Sequence, residues 1–257
     1  MLLAVDVGNS NTVLGIFQGD ELVQHWRTAT DVERTPDDVA LTFQGLLAFA
    51  GLDFGHNIHG VVISSVVPPV TDTMREMVAR YFPFPPLVME PGIRTGIPLR
   101  YENPRDVGSD RIANAVAAYE LHGGPAIVVD FGTATSFDVV DAAGGFVGGA
   151  IAPGIHTATD ALVQKAARLP NVEILAPPTA IGRSTTSALQ SGIVYGFAGL
   201  VDGVVARLRE ELGPDVTVVA TGGLAPAVRE ACRSIDVHDE WLTLKGLRLI
   251  WERNTTR

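Results

Sequence analysis

Leu2–Phe17, LLAVDVGNSNTVLGIF, is the stretch that decides how the chain is read. An apolar strand leads to an acidic residue, then to a tight polar turn and a second apolar strand. Leu3, Ala4, Val5 and Val7 flank Asp6. Gly8-Asn9-Ser10-Asn11 offers residues at ease with φ > 0, with side chains that bond local backbone. Such a turn can aim several backbone N–H groups at one point, and a nearby carboxylate suits a divalent cation. An ordinary β-hairpin with an Asn-rich turn satisfies the same residues, so this stretch alone leaves both readings open.

The pattern returns half a chain length later. Ala126–Val140, AIVVDFGTATSFDVV, again runs apolar strand, Asp130, apolar residue, Gly132, small hydroxyl-bearing turn and second strand. Gly19-Asp20 leads into a third strand over Glu21–Thr28 in the first half, and Gly144-Gly145 does the same in the second. This is one long duplication, not a short-period repeat.

Between and after the hairpins the elements alternate. Thr35 reads as an N-cap with Pro36 at N1, and Val39, Phe43, Leu46, Leu47 and Ala50 keep helical spacing up to Gly51. Gly60–Val67 is an apolar run of the kind buried on both faces. A helix over Val70–Tyr81, a short strand at Leu87–Met89 and a helix over Val107–Leu121 follow. Pro91–Asp106 between the last two reads as a loop. The second half predicts helices over Thr157–Arg168 and Thr185–Leu212, a strand over Val216–Ala220, a helix opened by Gly222-Gly223 and a last one over Leu247–Glu252. This is mixed-sheet α/β grammar in two halves, 1–122 and 123–257.

Composition narrows the function. A chain of 257 residues with 46% hydrophobic and 19% charged residues can bury a large core. A net charge of −10 argues against general affinity for nucleic acid or anionic membranes, though a local nest of donors can still hold an anionic nucleotide. Cys232 is the single cysteine, which removes internal disulfides and cysteine-based zinc sites and favours a reducing compartment. No secretory leader is expected, since Asp6 interrupts the first apolar run. The charge-free stretch between Asp141 and Asp160 is broken by Gly and Pro, against a membrane span. Asn254-Thr255-Thr256 is formally a glycosylation sequon, without meaning in a cytoplasmic chain.

Two acidic strand ends, each followed by a Gly/Thr/Asn turn, could address one triphosphate, their amides cradling phosphate and their carboxylates handling cations. No GxxxxGK[ST] occurs, and no GxGxxG follows a strand to open a helix, so P-loop and dinucleotide readings fall away. With Thr221-Gly222-Gly223 after a later strand, the three motifs resemble the phosphate-1, phosphate-2 and adenosine motifs of the actin-like ATPase and sugar-kinase superfamily. Within it the chain resembles type III pantothenate kinase over essentially its whole length. DVGNSNT (6–12), ISSVVP (63–68), DVGSDRIAN (106–114), DFGTATSFD (130–138), GGAIAPG (148–154), IGRSTTSALQSG (181–192) and TGGLA (221–225) carry the likeness. The one departure is Ser10, where the family usually has Thr; it keeps the hydroxyl.

The resemblance implies duplicated actin-like (ribonuclease H-like) domains, each a mixed β-sheet flanked by helices, with a nucleotide cleft between them and the C-terminal helix packing back on the first. It implies transfer of the ATP γ-phosphoryl to pantothenate, the first step towards coenzyme A. By the matched motifs, Asp6, Val7, Gly8, Asn9, Ser10, Asn11, Thr12 and Val13 would hold ATP, with Asp6 near Mg²⁺, directly or through water. Asp130 would hold a monovalent cation, K⁺ or NH₄⁺, Thr133 would touch ATP, and Gly222 and Gly223 would let backbone approach the adenosine. Tyr101, Gly108, Ser109, Asp110, Arg111 and Thr185 would bind pantothenate, Arg111 pairing with its carboxylate and Asp110 accepting the proton. A helix start should favour ionised Asp110. A homodimer with the substrate pocket at its interface and a cytoplasmic location complete what the family implies.

Each residue also has a plainer explanation. Asp110-Arg111 could be capping and a surface ion pair, Tyr101 a packing aromatic and Thr185 a helix cap. The six histidines show no ligand spacing, and Cys232 reads as a small buried hydrophobe. Two other functions compete: a kinase for another small hydroxyl compound, and a non-catalytic homologue that binds a partner. Tyr101 and the Asp106–Arg111 loop speak against the first, and the presence of Asp6, Asp110, Asp130 and Thr133 against the second.

Overall fold

The computed structural model describes residues 1–255. Thr256 of the sequon lies outside the described residues. The chain divides into two compact units. One takes Met1–Ile97, Glu102–Ala117 and the chain from Leu242 on; the other takes Pro98–Tyr101 and Ala118–Trp241.

The first unit is built on five strands: β1 (Leu2–Val7), β2 (Asn11–Gln18), β3 (Glu21–Ala29), β4 (Gly60–Ser65) and β5 (Leu87–Val88). Their order is β3-β2-β1-β4-β5, antiparallel through the meander and parallel from β1 to β5. Helices α1 (Pro36–Phe49) and α2 (Pro68–Tyr81) connect the later strands, and α3 (Ser109–His122) begins here. Local chemistry sets α1: Thr35 and Asp38 form a reciprocal capping box behind Pro36. Leu3, Val5, Val7, Leu14, Val61 and Ile63 form the core with Phe43, Leu47, Met74 and Met77 of the two helices.

The C-terminal helix α7 (Leu242–Thr255) belongs to this unit and is longer than the predicted Leu247–Glu252. Glycines seat it. A side chain at Gly15 would strike Leu244, one at Gly60 the Trp251 ring, and one at Gly246 the carbonyl of Ala113 in α3. Thr243 Oγ1 also donates to Asn114 Oδ1 at 2.7 Å. The helix extends past its predicted limits because these tertiary contacts hold its ends, which apolar spacing alone does not mark.

The second unit repeats the plan with β6 (Ala126–Phe131), β7 (Ala134–Val140), β8 (Phe146–Pro153), β9 (Thr217–Thr221) and β10 (Val237–His238). Its order, β10-β9-β6-β7-β8, is the first sheet's order strand for strand, so the duplication seen in sequence is a duplication of topology. Helices α4 (Ile155–Lys165) and α5 (Thr185–Leu212) and the short α6 (Ala225–Val228) complete it. Ile127, Val129, Phe131 and Val218 pack with Val194, Val201 and Val205 of α5. Two details differ from the sequence reading. The helix after Gly222-Gly223 is a single turn, and the two-residue β10 was not foreseen because so short a strand has no periodicity. Among the described residues α5 alone has the length and apolarity of a membrane span, and it supplies Ile193, Val194, Ala198, Val201 and Val205 to a packed core.

Candidate active site

In the first unit the opening hairpin places Asp6 opposite Val13 and Val7 opposite Thr12. The turn is closed by Gly8 N donating to Asn11 O at 2.9 Å. Asn9, Ser10 and Asn11 are exposed. Neither Gly8 nor any turn residue uses φ > 0, contrary to the sequence expectation. Gly8 instead answers to crowding, because a Cβ would lie 3.2 Å from Asn11 O.

Thr30, which no motif flagged, braces this turn from beyond β3. Its amide donates to Ser10 O at 3.0 Å and its hydroxyl to Gly8 O at 2.7 Å. That spends its only proton, so the 2.9 Å contact with Thr12 Oγ1 is a bond that Thr30 accepts. The signal was positional only: Asn11 pairs with Ala29, which brings the next residue to the turn.

Asp6 lies beside Ser64 on the parallel neighbour β4. Ser64 Oγ donates to Asp6 Oδ1 at 2.8 Å and lies 2.9 Å from Ser109 Oγ, at the start of α3. Asp110 follows. Its Oδ1 accepts from Arg111 N at 2.8 Å, and a side chain on Gly108 would collide with the same oxygen. Burial pushes the Asp110 carboxyl above the usual aspartate range, against the lowering effects of the Arg111 amide and guanidinium. Desolvation therefore outweighs the helix start that was expected to favour the ionised form.

In the second unit Asp130 pairs with Thr221 across β6 and β9, the position that Asp6 and Ser64 hold in the first. The Gly132-Thr133 turn is closed by Gly132 N donating to Ala134 O at 3.0 Å. It is braced from behind: Thr133 O accepts from Gly154 N at 3.2 Å and from Thr157 Oγ1 at 2.7 Å. Thr133 and Ala134 are exposed. Gly222, at φ +91°, presses its backbone on the strand end that carries Asp130, and the following Gly223 is exposed.

Tyr101 packs on Phe146 with ring centroids 6.0 Å apart and faces Gly148. Thr185 opens α5, but the capping is done by Ser184 with Ser187, so the exposed Thr185 is not needed as the cap. It lines an open depression with Leu169, Gly182, Arg183 and Ser184. His56 and His59 sit in a loop against Asp53 and the Met1 amine. Half-buried Cys232 has its thiol pushed up to about 12 by burial and by Asp202, which leaves it unreactive. Among the described residues no three His, Cys, Asp or Glu side chains cluster as a self-sufficient metal site.

Known proteins resemble the chain over its whole length. A family model described as type III pantothenate kinase covers residues 2–207. The type III pantothenate kinase of Acidothermus cellulolyticus is 57% identical over 255 residues, covering 99% of each chain. A solved Campylobacter jejuni protein, described as a Baf family transcriptional activator, superposes with a TM-score of 0.59 at 20% identity, over 99% of this chain and 100% of that one. The polyphosphate/ATP-glucomannokinase of Arthrobacter sp. strain KM superposes with a TM-score of 0.51 at 13% identity, covering 98% of each. These two structures share the fold.

Proposed function

This chain belongs to the type III pantothenate kinase family, and on that premise we infer that it transfers the γ-phosphoryl of ATP to the terminal hydroxyl of pantothenate. The product is 4′-phosphopantothenate, and the reaction is the first step of coenzyme A biosynthesis. The observation that carries the acceptor side is Asp110, a partly buried carboxyl at the start of a helix in a matched family motif, held by the Arg111 amide against Gly108, with its proton affinity raised.

In this reading the turn of residues 8–12, exposed at Asn9 to Asn11, and the Gly132–Thr135 turn bind phosphate oxygens through backbone amides and hydroxyls. Gly222 and Gly223 admit the adenosine. Gly108 to Arg111 hold pantothenate, with Arg111 on its carboxylate, and Tyr101 and Thr185 add contacts. Asp110 orients the attacking hydroxyl and takes its proton late, since phosphoryl transfer leaves little charge on the nucleophile until then.

Asp6 suits Mg²⁺, because that ion is commonly held by one or two carboxylates, phosphate oxygens and water, without a protein cage. Asp130 and the Phe131 carbonyl both lie against Gly222, an oxygen-rich strand end suited to K⁺ or NH₄⁺. Bound cations would neutralise charge on the transferring phosphoryl group. We extend the reading to a homodimer with the acceptor pocket at its interface and to a cytoplasmic location, both supported by the family. Coupled ADP release, measured with and without pantothenate, tests the proposal. ADP release that ignores pantothenate removes it.

A further inference from the structure

Three hydroxyl-bearing contacts link the nucleotide motif to the acceptor motif inside the first unit, and their donors can be assigned. Ser64 is fully buried, and its Oγ donates to Asp6 Oδ1 at 2.8 Å. A hydroxyl has one proton, so only Ser109 is left to donate across the 2.9 Å contact between Ser64 Oγ and Ser109 Oγ. Ser109 Oγ in turn accepts from the Ser65 amide at 3.1 Å. The nearby Ser65 carbonyl, at 3.2 Å from Ser109 Oγ, is the weaker competitor for that proton. The result is a one-way chain: Ser65 N–H to Ser109, Ser109 to Ser64, Ser64 to the Asp6 carboxylate. Both serines are buried, and each donor polarises the next.

We propose that Ser64 and Ser109 are positioning residues, which hold the Asp6 carboxylate in one orientation and tie it to the helix start that carries Asp110. This rests on the reading of Asp6 as the residue near the nucleotide's Mg²⁺. Ser109 spends its one proton and one of its two lone pairs on the chain. The chain explains why a serine stands at each of these places. Ser64 is the residue that β4 sets beside Asp6, and Ser109 is the first residue of the helix whose second is Asp110.

The test uses full-length Ser64→Ala, Ser109→Ala and the double alanine variant. Calorimetric MgATP binding is measured without pantothenate, and Mg²⁺ activation and both KM values are measured in turnover. Ser64→Ala is expected to weaken MgATP binding and raise the Mg²⁺ requirement by about tenfold, with KM for pantothenate within twofold of the parent. Ser109→Ala should act in the same direction, and the double variant should match Ser64→Ala, because one chain is cut once. If Ser64→Ala fails to fold, Ser109→Ala decides on the same readouts. Unchanged MgATP affinity and Mg²⁺ dependence in folded alanine variants overturn the proposal. A parent protein without pantothenate turnover, whose MgATP binding is still weakened by Ser64→Ala, removes the kinase reading and leaves the positioning role standing.

Discussion

Gly222 stands so close to Asp130 that a Cβ on it would come within 2.5 Å of the carboxylate Oδ1, and within 2.7 Å of Phe131 N. Its φ of +91° also lies where L side chains are strained. Gly222→Ala is therefore expected to destabilise the protein by about 2–4 kcal/mol. It should also abolish measurable ATP binding. Denaturant unfolding and calorimetry check both, and a stable variant that binds ATP normally contradicts the prediction.

Asp110 is expected to trade stability for activity. Its folded carboxyl lies above the ordinary aspartate value, so between the two values the native state holds a proton that the unfolded chain has released. Stability tied to this group is complete below the unfolded value, about 3.9, and is lost as pH rises through the folded one. Asp110→Asn should then raise Tm at neutral pH while lowering kcat more than about tenfold, roughly 1.4 kcal/mol. A lowered Tm, or a smaller loss of kcat, counts against the role.

The same raised carboxyl predicts the acid limb of the pH profile. If ionised Asp110 is needed, kcat/KM falls as pH drops through a value above the usual aspartate range. Asp110→Asn should erase that limb. A limb unchanged in the variant belongs to another group.

Thr30→Val should loosen the nucleotide turn without disturbing β3. It removes the bonds to Gly8 O and Thr12 Oγ1, at a cost of about 1–2 kcal/mol. KM for ATP is expected to rise several-fold while KM for pantothenate stays put. Equal changes in both would point to general destabilisation.

Much of this was legible in the sequence. The two hairpins and their half-chain spacing announced the duplicated sheets, and Thr35-Pro36 and Thr185 marked helix starts at the residues where they occur. Contacts that depend on the tertiary fold were hidden. Thr30 acts on a turn some twenty residues earlier, Ser64 meets Asp6 only because β4 lies beside β1, and Ser109 joins them from the start of α3. The environment of Asp110 was likewise invisible: its place at a helix start is a local fact, but burial, which raises its carboxyl, is not. α7 was half seen because its ends are held by packing at Gly15, Gly60 and Gly246.

The most direct measurement is the mass-spectrometric appearance of 4′-phosphopantothenate from ATP and pantothenate with Mg²⁺, in buffers with and without K⁺ or NH₄⁺. Product equal to the ADP released, falling several-fold when the monovalent cation is withdrawn, is the predicted result. With every cation present, ADP release without 4′-phosphopantothenate, or no release at all, would contradict it.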